Sequence, residues 1–296
     1  MKKPVKGKSQ VWKNIYRSRY LYLLFALPLL YFIVFKYGAM AWLSIAFFDY
    51  NAFLGFAAVI VGIKYFKQFI MDPYFWNILK NTVVLNLWML VLYFPTPIIL
   101  ALLINEVKNK HFKKMAQTIS YMPYFLSTVV VCGFITTILS NDGLINQVVS
   151  SLGLEKVQFL MEPGWFRPIY VISEIWQQCG WGSIIYLAAL AGVDSQLYEA
   201  AAIDGAGKWK QLIHVSIPGI APVISIQLLL TVGKLLTVGY EKILLLYTGA
   251  TYSTADVIST YVYRRGLMEA NYSYGSAVSI FQAVMALILV VLANKA

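Results

Sequence analysis

YEAAAIDGAGKWKQLIHVSIPG, residues 198–219, separates two strongly apolar stretches of the chain and is rich in small and charged residues. Its GAGK resembles a phosphate-binding loop, but that loop has the pattern GxxxxGK[ST]. Here Ala202 replaces the first glycine and Trp209 the final hydroxyl residue. The composition instead predicts two short helices joined by a glycine turn at 205–207, the first capped by Ser195 and the second ended by Pro218.

The sequence around this stretch is that of a membrane protein. Of its 296 residues, 59% are hydrophobic and only 12% are charged, whereas about 25% charged residues is typical of soluble domains. Several apolar stretches reach the roughly 20 residues that a helix needs to cross a bilayer. The net charge of +11 is interpreted as basic cytoplasmic loops rather than as a nucleic-acid surface.

We predict an all-α polytopic membrane protein with six transmembrane helices. A basic tail, residues 1–19, contains seven Lys or Arg residues. The positive charges therefore place both termini in the cytoplasm. The same topology makes the loop 191–219 cytoplasmic. The rest of the chain, 20–296, is one transmembrane domain with predicted spans at about 20–47, 81–105, 121–140, 167–190, 220–246 and 274–292.

Polar side chains inside the predicted spans are candidates for a substrate path, because such groups are costly in a membrane. Aromatic faces, amides and carboxyl groups can stack on a polar solute or form hydrogen bonds with it. The chosen candidates are Trp176, Gln177, Trp181, Tyr240 and Glu241. Three alternatives stay open: interfacial aromatic residues, hydrogen bonds between helices, and a structural pair of Glu174 with Lys234. Further intramembrane polar residues are Gln178, Gln227 and Gln282.

The cysteines and histidines do not form a recognisable site in the sequence. Cys132 and Cys179 lie in apolar segments without CxxC spacing, and His111 and His214 lie in separate loops outside any metal-binding frame. These patterns predict neither a disulfide nor a metal site. We expect no catalytic residues in this chain.

One motif in the loop resembles a known family. Permease subunits of binding-protein-dependent ABC importers carry EAA, three residues, Gly, nine residues and I-x-L-P. This chain has Glu199-Ala200-Ala201, Gly205, and then Val215, Ile217 and Pro218 at that spacing. The extended form EAAAIDGA, together with DPYFWNILKNT and STADVISTYVYRRGL, resembles the carbohydrate importers typified by the maltose permeases. The branch for complex oligosaccharides and polysaccharides is the most similar.

The resemblance implies a type I ABC importer permease fold in a bacterial plasma membrane. The EAA loop would couple the spans to a separate ATPase, and no cofactor would bind this chain because the partner subunits hold ATP and Mg. The implied partners are a second permease, two ATPase copies, an extracytoplasmic binding protein and a carbohydrate, with no nucleic acid. The implied coupling residues are Glu199, Ala200, Ala201, Ala202, Asp204, Gly205, Trp209 and Pro218.

Three other functions are weighed against this resemblance. The same architecture serves permeases for amino acids, phosphate or metals. A secondary transporter would carry intramembrane carboxylates arranged for ion coupling and often an inverted repeat, and neither is evident in the sequence. A membrane enzyme would need a cluster of catalytic side chains near one face, which two isolated histidines do not supply.

Overall fold

The computed structural model describes residues 16–50, 59–236 and 239–294, and these are mostly helical. The predicted tail therefore lies largely outside the described residues. One short antiparallel pair, β1 (Phe48–Asp49) with β2 (Val59–Ile60), departs from the predicted all-α class. The helices are α1 Arg19–Phe47, α2 Lys64–Ile70, α3 Phe75–Glu106, α4 Lys110–Tyr121, α5 Thr128–Leu139, α6 Leu144–Ser151, α7 Pro163–Ala191, α8 Ser195–Ile203, α9 Lys208–Val232, α10 Tyr240–Leu246, α11 Tyr252–Ala255, α12 Ile258–Val262 and α13 Tyr272–Ala293.

Five helical stretches are long and apolar enough to cross a membrane: α1, α3, α5 with α6, α9 and α13. Helix α7 covers the fourth predicted span. It has 29 residues, which is about 43 Å of helix and more than a bilayer core requires. Its sequence, however, contains Glu174, Gln177 and Gln178, so composition alone does not distinguish it as a span.

Burial in the bundle is opposite to what a soluble protein would show. The most apolar part of α1 buries no side chain against the rest of the chain. The more polar α7 buries nine residues at helical spacing. In a bilayer the surrounding lipid takes the apolar faces, so a helix with polar groups is stable where other helices surround it. Helix α7 is therefore the central helix of the fold.

Two apolar clusters pack against α7 near its two ends. Phe166, Tyr170 and Val171 pack with residues of α3, α5, α10 and the α11–α12 segment. Near the other end, Tyr186 and Leu190 pack with residues of α3 and α9. The polar residues of α7 lie between these clusters. The packing therefore holds a polar section of helix between two apolar sections.

A third packed region joins the two segments that resemble carbohydrate permeases outside the EAA loop. Asn81 of α3 is buried and donates its amide hydrogens to the carbonyl oxygens of Ser253 (3.0 Å) and Asp256 (3.1 Å). Arg167 of α7 donates to the Asn81 amide oxygen at 2.9 Å. Once buried, these polar groups cannot form hydrogen bonds with water. The bonds between them therefore fix the α11–α12 segment on α3 and α7.

The same region contains a buried ion pair. Asp256 is fully buried and accepts hydrogen bonds from Arg264 (2.6 Å) and Thr260 (2.7 Å). Nearby, Tyr261 donates to Asp72 at 2.6 Å, and burial together with this bond raises the pKa of Tyr261. We call this region the buried polar junction; it comprises Asn81, Arg167, Asp256, Thr260 and Arg264.

The predicted third span begins differently in the structure. The basic segment that precedes it is helical from Lys110 as α4. A short 3₁₀ turn over Met122–Phe125 then separates α4 from α5. Helix α4 crosses α7 so closely that a Cβ on Gly180 would lie 1.9 Å from the Ser120 carbonyl oxygen. Pro123 accounts for the break because it cannot continue the α-helical hydrogen bonding.

The predicted fifth span, 220–246, is also divided. Helix α9 begins earlier, at Lys208, and ends at Val232. A separate helix α10 covers Tyr240–Leu246, and positions 237 and 238 between them lie outside the described residues. Glycines at 233 and 239 flank this interruption, and glycine lowers helix stability by about 1 kcal/mol relative to alanine.

Pro218 does not end a helix, which corrects the sequence prediction. It lies in the first turn of the α-helical part of α9, directly after a π-helical turn at Leu212–Ser216. Proline has no backbone N–H to donate. Because the π-helical turn is wider and Pro218 lies near the start of the regular α-helix, no hydrogen bond from its nitrogen is required. Helix α9 therefore runs without interruption from the loop into the bundle.

Candidate functional site

A cavity of about 580 Å³ opens beside the polar section of α7. Its volume lies within the range of small-molecule sites. Helices α3, α7, α9 and α10 contribute its walls, together with Thr128 and residues of the α9–α10 connection. Its lining combines amides, phenols, hydroxyls and both signs of charge: Asn86, Tyr93, Thr128, Tyr170, Glu174, Gln177, Gln178, Thr231, Lys234, Tyr240, Glu241 and Lys242, among others.

A buried ion pair forms part of the cavity wall. The Lys242 ammonium donates to Glu174 Oε1 at 2.8 Å, and the two side chains are 4% and 15% exposed. Lys242 also lies over the ring of Tyr170, 5.7 Å from its centroid. A buried charge is stable only with such compensation. Glu174 therefore pairs with Lys242 and not with Lys234, which corrects the pairing weighed from the sequence.

Gln177 links this pair to a neighbouring helix end. Its amide nitrogen donates to the carbonyl oxygen of Leu126 at 3.2 Å, next to the break between α4 and α5. Its amide oxygen accepts from Lys242 at 3.4 Å. The carbonyl freed by the break is thereby satisfied inside the bundle. Gln177 lines the cavity, and both ends of its side chain already have partners.

The other four predicted path residues divide between the cavity and its surroundings. Tyr240 and Glu241 line it, and Tyr240 stacks on Tyr263 with ring centroids 5.6 Å apart. Trp176 is half exposed and does not belong to the lining. Trp181 lines a second cavity of about 460 Å³ further along α7 and stacks on Tyr124 at 4.5 Å.

The two cavities share residues Tyr93 and Thr231. The first cavity follows α7 from Tyr170 to Gln178 and the second from Trp181 to Ala188. They are therefore successive chambers along one helix. The lining becomes more aromatic and aliphatic toward the end of α7 that continues into the 191–219 loop.

The candidates chosen from the sequence leave out several side chains that the structure places in the cavity wall, among them Asn86, Tyr93 and Lys242. Asn86 and Tyr93 lie on α3. The long apolar sequence of α3 predicts a membrane span but no polar lining. Lys242 directly follows the candidate Glu241 in the sequence but is not itself among the candidates. Lys242 is buried because it pairs with Glu174, which is 68 residues away in the sequence. A local sequence pattern does not reveal such a pairing.

The 191–219 loop forms the helical pair that its sequence predicts. Helix α8 buries no residue, and its N-cap is Asp194, which accepts from the Gln196 N–H at 2.9 Å, rather than the expected Ser195. Gly205 has φ of +74° and makes the turn. This is a left-handed conformation that glycine adopts without strain. The turn predicted from the glycines is thereby explained.

A hydrogen bond joins the two helices of the loop, and an ion pair joins the loop to α3. The Tyr198 hydroxyl and the Ser216 hydroxyl lie 2.9 Å apart, joining α8 to α9. Lys208 pairs with Glu106, the last residue of α3, at 2.9 Å. The remaining surface is open: Ile203 is 87% and Trp209 74% exposed. The described part of the chain leaves these two side chains uncovered.

A family model identifies the chain. Residues 94–294 match the binding-protein-dependent transport system inner membrane component. The chain belongs to this family. It is the membrane permease of a binding-protein-dependent transport system and a multi-pass protein of the bacterial plasma membrane. The match includes α7, the 191–219 loop and most of the cavity lining, whereas Asn86, Met89 and Tyr93 lie before it.

Two relatives from Bacillus subtilis extend the likeness over nearly the whole permease. The polygalacturonan/rhamnogalacturonan transport system permease protein YteP is 44% identical over 284 residues, covering 95% of this chain and 88% of that protein. Protein LplB is 42% identical over 291 residues, covering 97% and 92%.

A solved structure shares the fold. A chain of a bacterial alginate ABC transporter, in complex with an alginate pentasaccharide-bound periplasmic protein, superposes with a TM-score of 0.87 at 42% identity, covering 96% of each chain. This permease therefore has the type I ABC permease fold.

Proposed function

We propose that this permease is the transmembrane subunit of an ATP-driven ABC importer that moves an oligosaccharide into the cell. The similarity to permeases of polygalacturonan/rhamnogalacturonan and alginate transporters supports a carbohydrate substrate. The observation that carries the proposal is the polar cavity on α7, which lies inside an otherwise apolar bundle. Amides, phenols and a fixed carboxylate are the groups that bind sugar hydroxyls.

The second part of the proposal concerns topology. The five apolar helical stretches together with α7 make six spans, with both termini and the 191–219 loop in the cytoplasm. The seven basic residues among positions 1–19 and the lysines of the loop support this orientation. The buried polar junction then lies at the extracytoplasmic end, where a binding protein delivers its sugar. The solved relative with a sugar-bound periplasmic protein supports that partner.

The third part concerns the energy source. The exposed loop would dock on a separate ATPase, which binds ATP and Mg, so that this chain contributes no catalytic residue. Glu199 is exposed, and the small residues Ala200, Ala201 and Ala202 follow it. A carboxylate beside small side chains permits close approach of a basic partner surface. Two ATPase copies and a second permease complete the proposed assembly.

The experiment is ATPase activity of the whole complex in lipid nanodiscs. We expect sugar-loaded binding protein to raise hydrolysis, and Glu199→Ala to remove most of that increase or prevent the ATPase from assembling. Gln196→Ala, one turn earlier on the same exposed helix, is the matched control and should behave like the unaltered chain. Solute movement on an ion gradient without ATPase would contradict the proposal and favour a secondary transporter.

A further inference from the structure

Two adjacent glutamines of α7 differ in what they bind. Gln177 is buried, and both ends of its amide make hydrogen bonds to Leu126 and Lys242. Gln178 also lines the cavity but is only partly buried. Within the described part of the chain its amide has no hydrogen-bond partner. A polar group in a cavity without a partner is available to a ligand.

Glu174 lies one helical turn before Gln178, so both side chains project from the same face of α7. Its Oε1 atom is held by Lys242 at 2.8 Å. Its Oε2 atom makes no hydrogen bond to any described residue. Because Lys242 compensates the charge and fixes one oxygen, the other oxygen is an oriented acceptor beside the free amide of Gln178.

We infer that Glu174 and Gln178 together bind hydroxyl groups of the transported sugar and set which hydroxyl configuration the permease accepts. This inference rests on the proposed function and names the residues that give its cavity specificity. Gln177, although a candidate from the sequence, is excluded from this role because both ends of its amide are bonded within the fold.

The chemistry of the two groups selects hydroxyls over other ligands. A hydroxyl both donates and accepts, which matches a carboxylate oxygen next to an amide that offers an acceptor and two donors. An apolar ligand would leave Gln178 unsatisfied at a cost of about 1–3 kcal/mol. A cation would find Glu174 already neutralised by Lys242. Sites built on such hydrogen bonds discriminate strongly against a ligand that lacks the matching group.

The test compares epimers, because a change in one hydroxyl isolates the proposed contact. The complex with its second permease, ATPase and binding protein is placed in proteoliposomes. Uptake is measured for two pairs that differ at the C2 hydroxyl: β-1,4-linked triglucuronate with trimannuronate, and cellotriose with mannotriose. The ratio within each pair is the readout, since the same binding protein serves every variant and its own preference cancels.

We expect Gln178→Leu to change the uptake ratio within a transported pair by about tenfold, as loss of one discriminating hydrogen bond predicts. Gln178→Glu keeps an acceptor and should restore part of the ratio. Gln177→Leu should lower yield and slow both members of a pair equally. Ile172→Ala, on an exposed face of the same helix, should match the unaltered permease.

The possible failures are distinguishable. If the unaltered complex takes up these sugars but Gln178→Leu slows both epimers equally, or leaves their ratio unchanged, the inference is wrong and the proposed function stands. If the unaltered complex takes up none of the four sugars and no sugar-loaded binding protein raises its ATPase activity, the carbohydrate function is overturned, and the inference with it.

Discussion

The buried polar junction, apart from Arg167, and the 191–219 loop come from segments that resemble carbohydrate permeases, yet their side chains face opposite environments. In the junction, Asp256 is fully buried and bonded to Arg264 and Thr260. In the loop, α8 buries nothing, and Ile203 is 87% exposed. The junction residues form hydrogen bonds and ion pairs with each other inside this chain, whereas the loop leaves side chains exposed to a partner molecule. Substitutions should therefore separate stability from coupling.

The largest expected effect is on stability, at the junction. Asp256→Ala leaves the Arg264 guanidinium, only 26% exposed, without its carboxylate. Breaking a buried pair costs about 3–5 kcal/mol, and the partial exposure of Arg264 favours the lower end. We expect a clearly lower thermal unfolding midpoint of the purified complex, measured by the fluorescence of its tryptophans.

Glu269→Ala is the matched control for that substitution. Its pair with Arg265 has a similar length, 2.9 Å, but both side chains are nearly half exposed. Exposed pairs contribute about 0–1 kcal/mol, so the midpoint should hardly move. Equal losses from Asp256→Ala and Glu269→Ala would show that burial does not distinguish the junction.

The next effect should appear in coupling rather than in stability. Gly205→Ala places a Cβ at φ of +74°, which costs about 1–2 kcal/mol. No neighbouring atom lies within 4 Å of that Cβ, so the strain is confined to the turn between α8 and α9. We expect stimulation of ATPase by sugar-loaded binding protein to fall roughly 5- to 30-fold, the factor that corresponds to this energy.

Gly207→Ala tests whether the turn conformation is the cause. Gly207 has φ of −67° and equally open surroundings, so alanine is tolerated there. Its ATPase stimulation should stay near that of the unaltered permease. If Gly207→Ala reduces stimulation as much as Gly205→Ala, then small size rather than the left-handed turn is what the loop requires.

The comparison also shows what the sequence can and cannot predict. The apolar stretches and the glycine turn follow from local chemistry, so the helices and the Gly205 bend could be predicted. The pairing of Glu174 with Lys242 depends on which faces of α7 and α10 meet, and no local pattern contains that information. Gln177 and Gln178 are adjacent residues of the same type, so the sequence does not distinguish them. The positions of the Leu126 carbonyl and of Lys242 decide which amide is bonded within the fold.

Pro218 illustrates the same limit at the level of one helix. Proline usually ends a helix, and that rule predicted a helix ending there. The π-helical turn at Leu212–Ser216 allows the chain to continue as α9. The helix also passes close to Val193 here, because a Cβ on Gly219 would lie 2.7 Å from a Val193 methyl carbon.

The smallest expected effect concerns the ion pair that links the loop to the bundle. Lys208 and Glu106 lie 2.9 Å apart, but their side chains are 69% and 32% exposed, so the pair should contribute at most about 1 kcal/mol. Lys208→Ala and Glu106→Ala should each shift the unfolding midpoint only slightly, and less at high salt because screening weakens exposed pairs. A double variant, Lys208→Glu with Glu106→Lys, should restore whatever the single changes lose. If a single change instead alters ATPase stimulation strongly while the unfolding midpoint stays constant, this pair belongs to the coupling surface. The exposed surface that serves coupling would then extend to Glu106 at the end of α3.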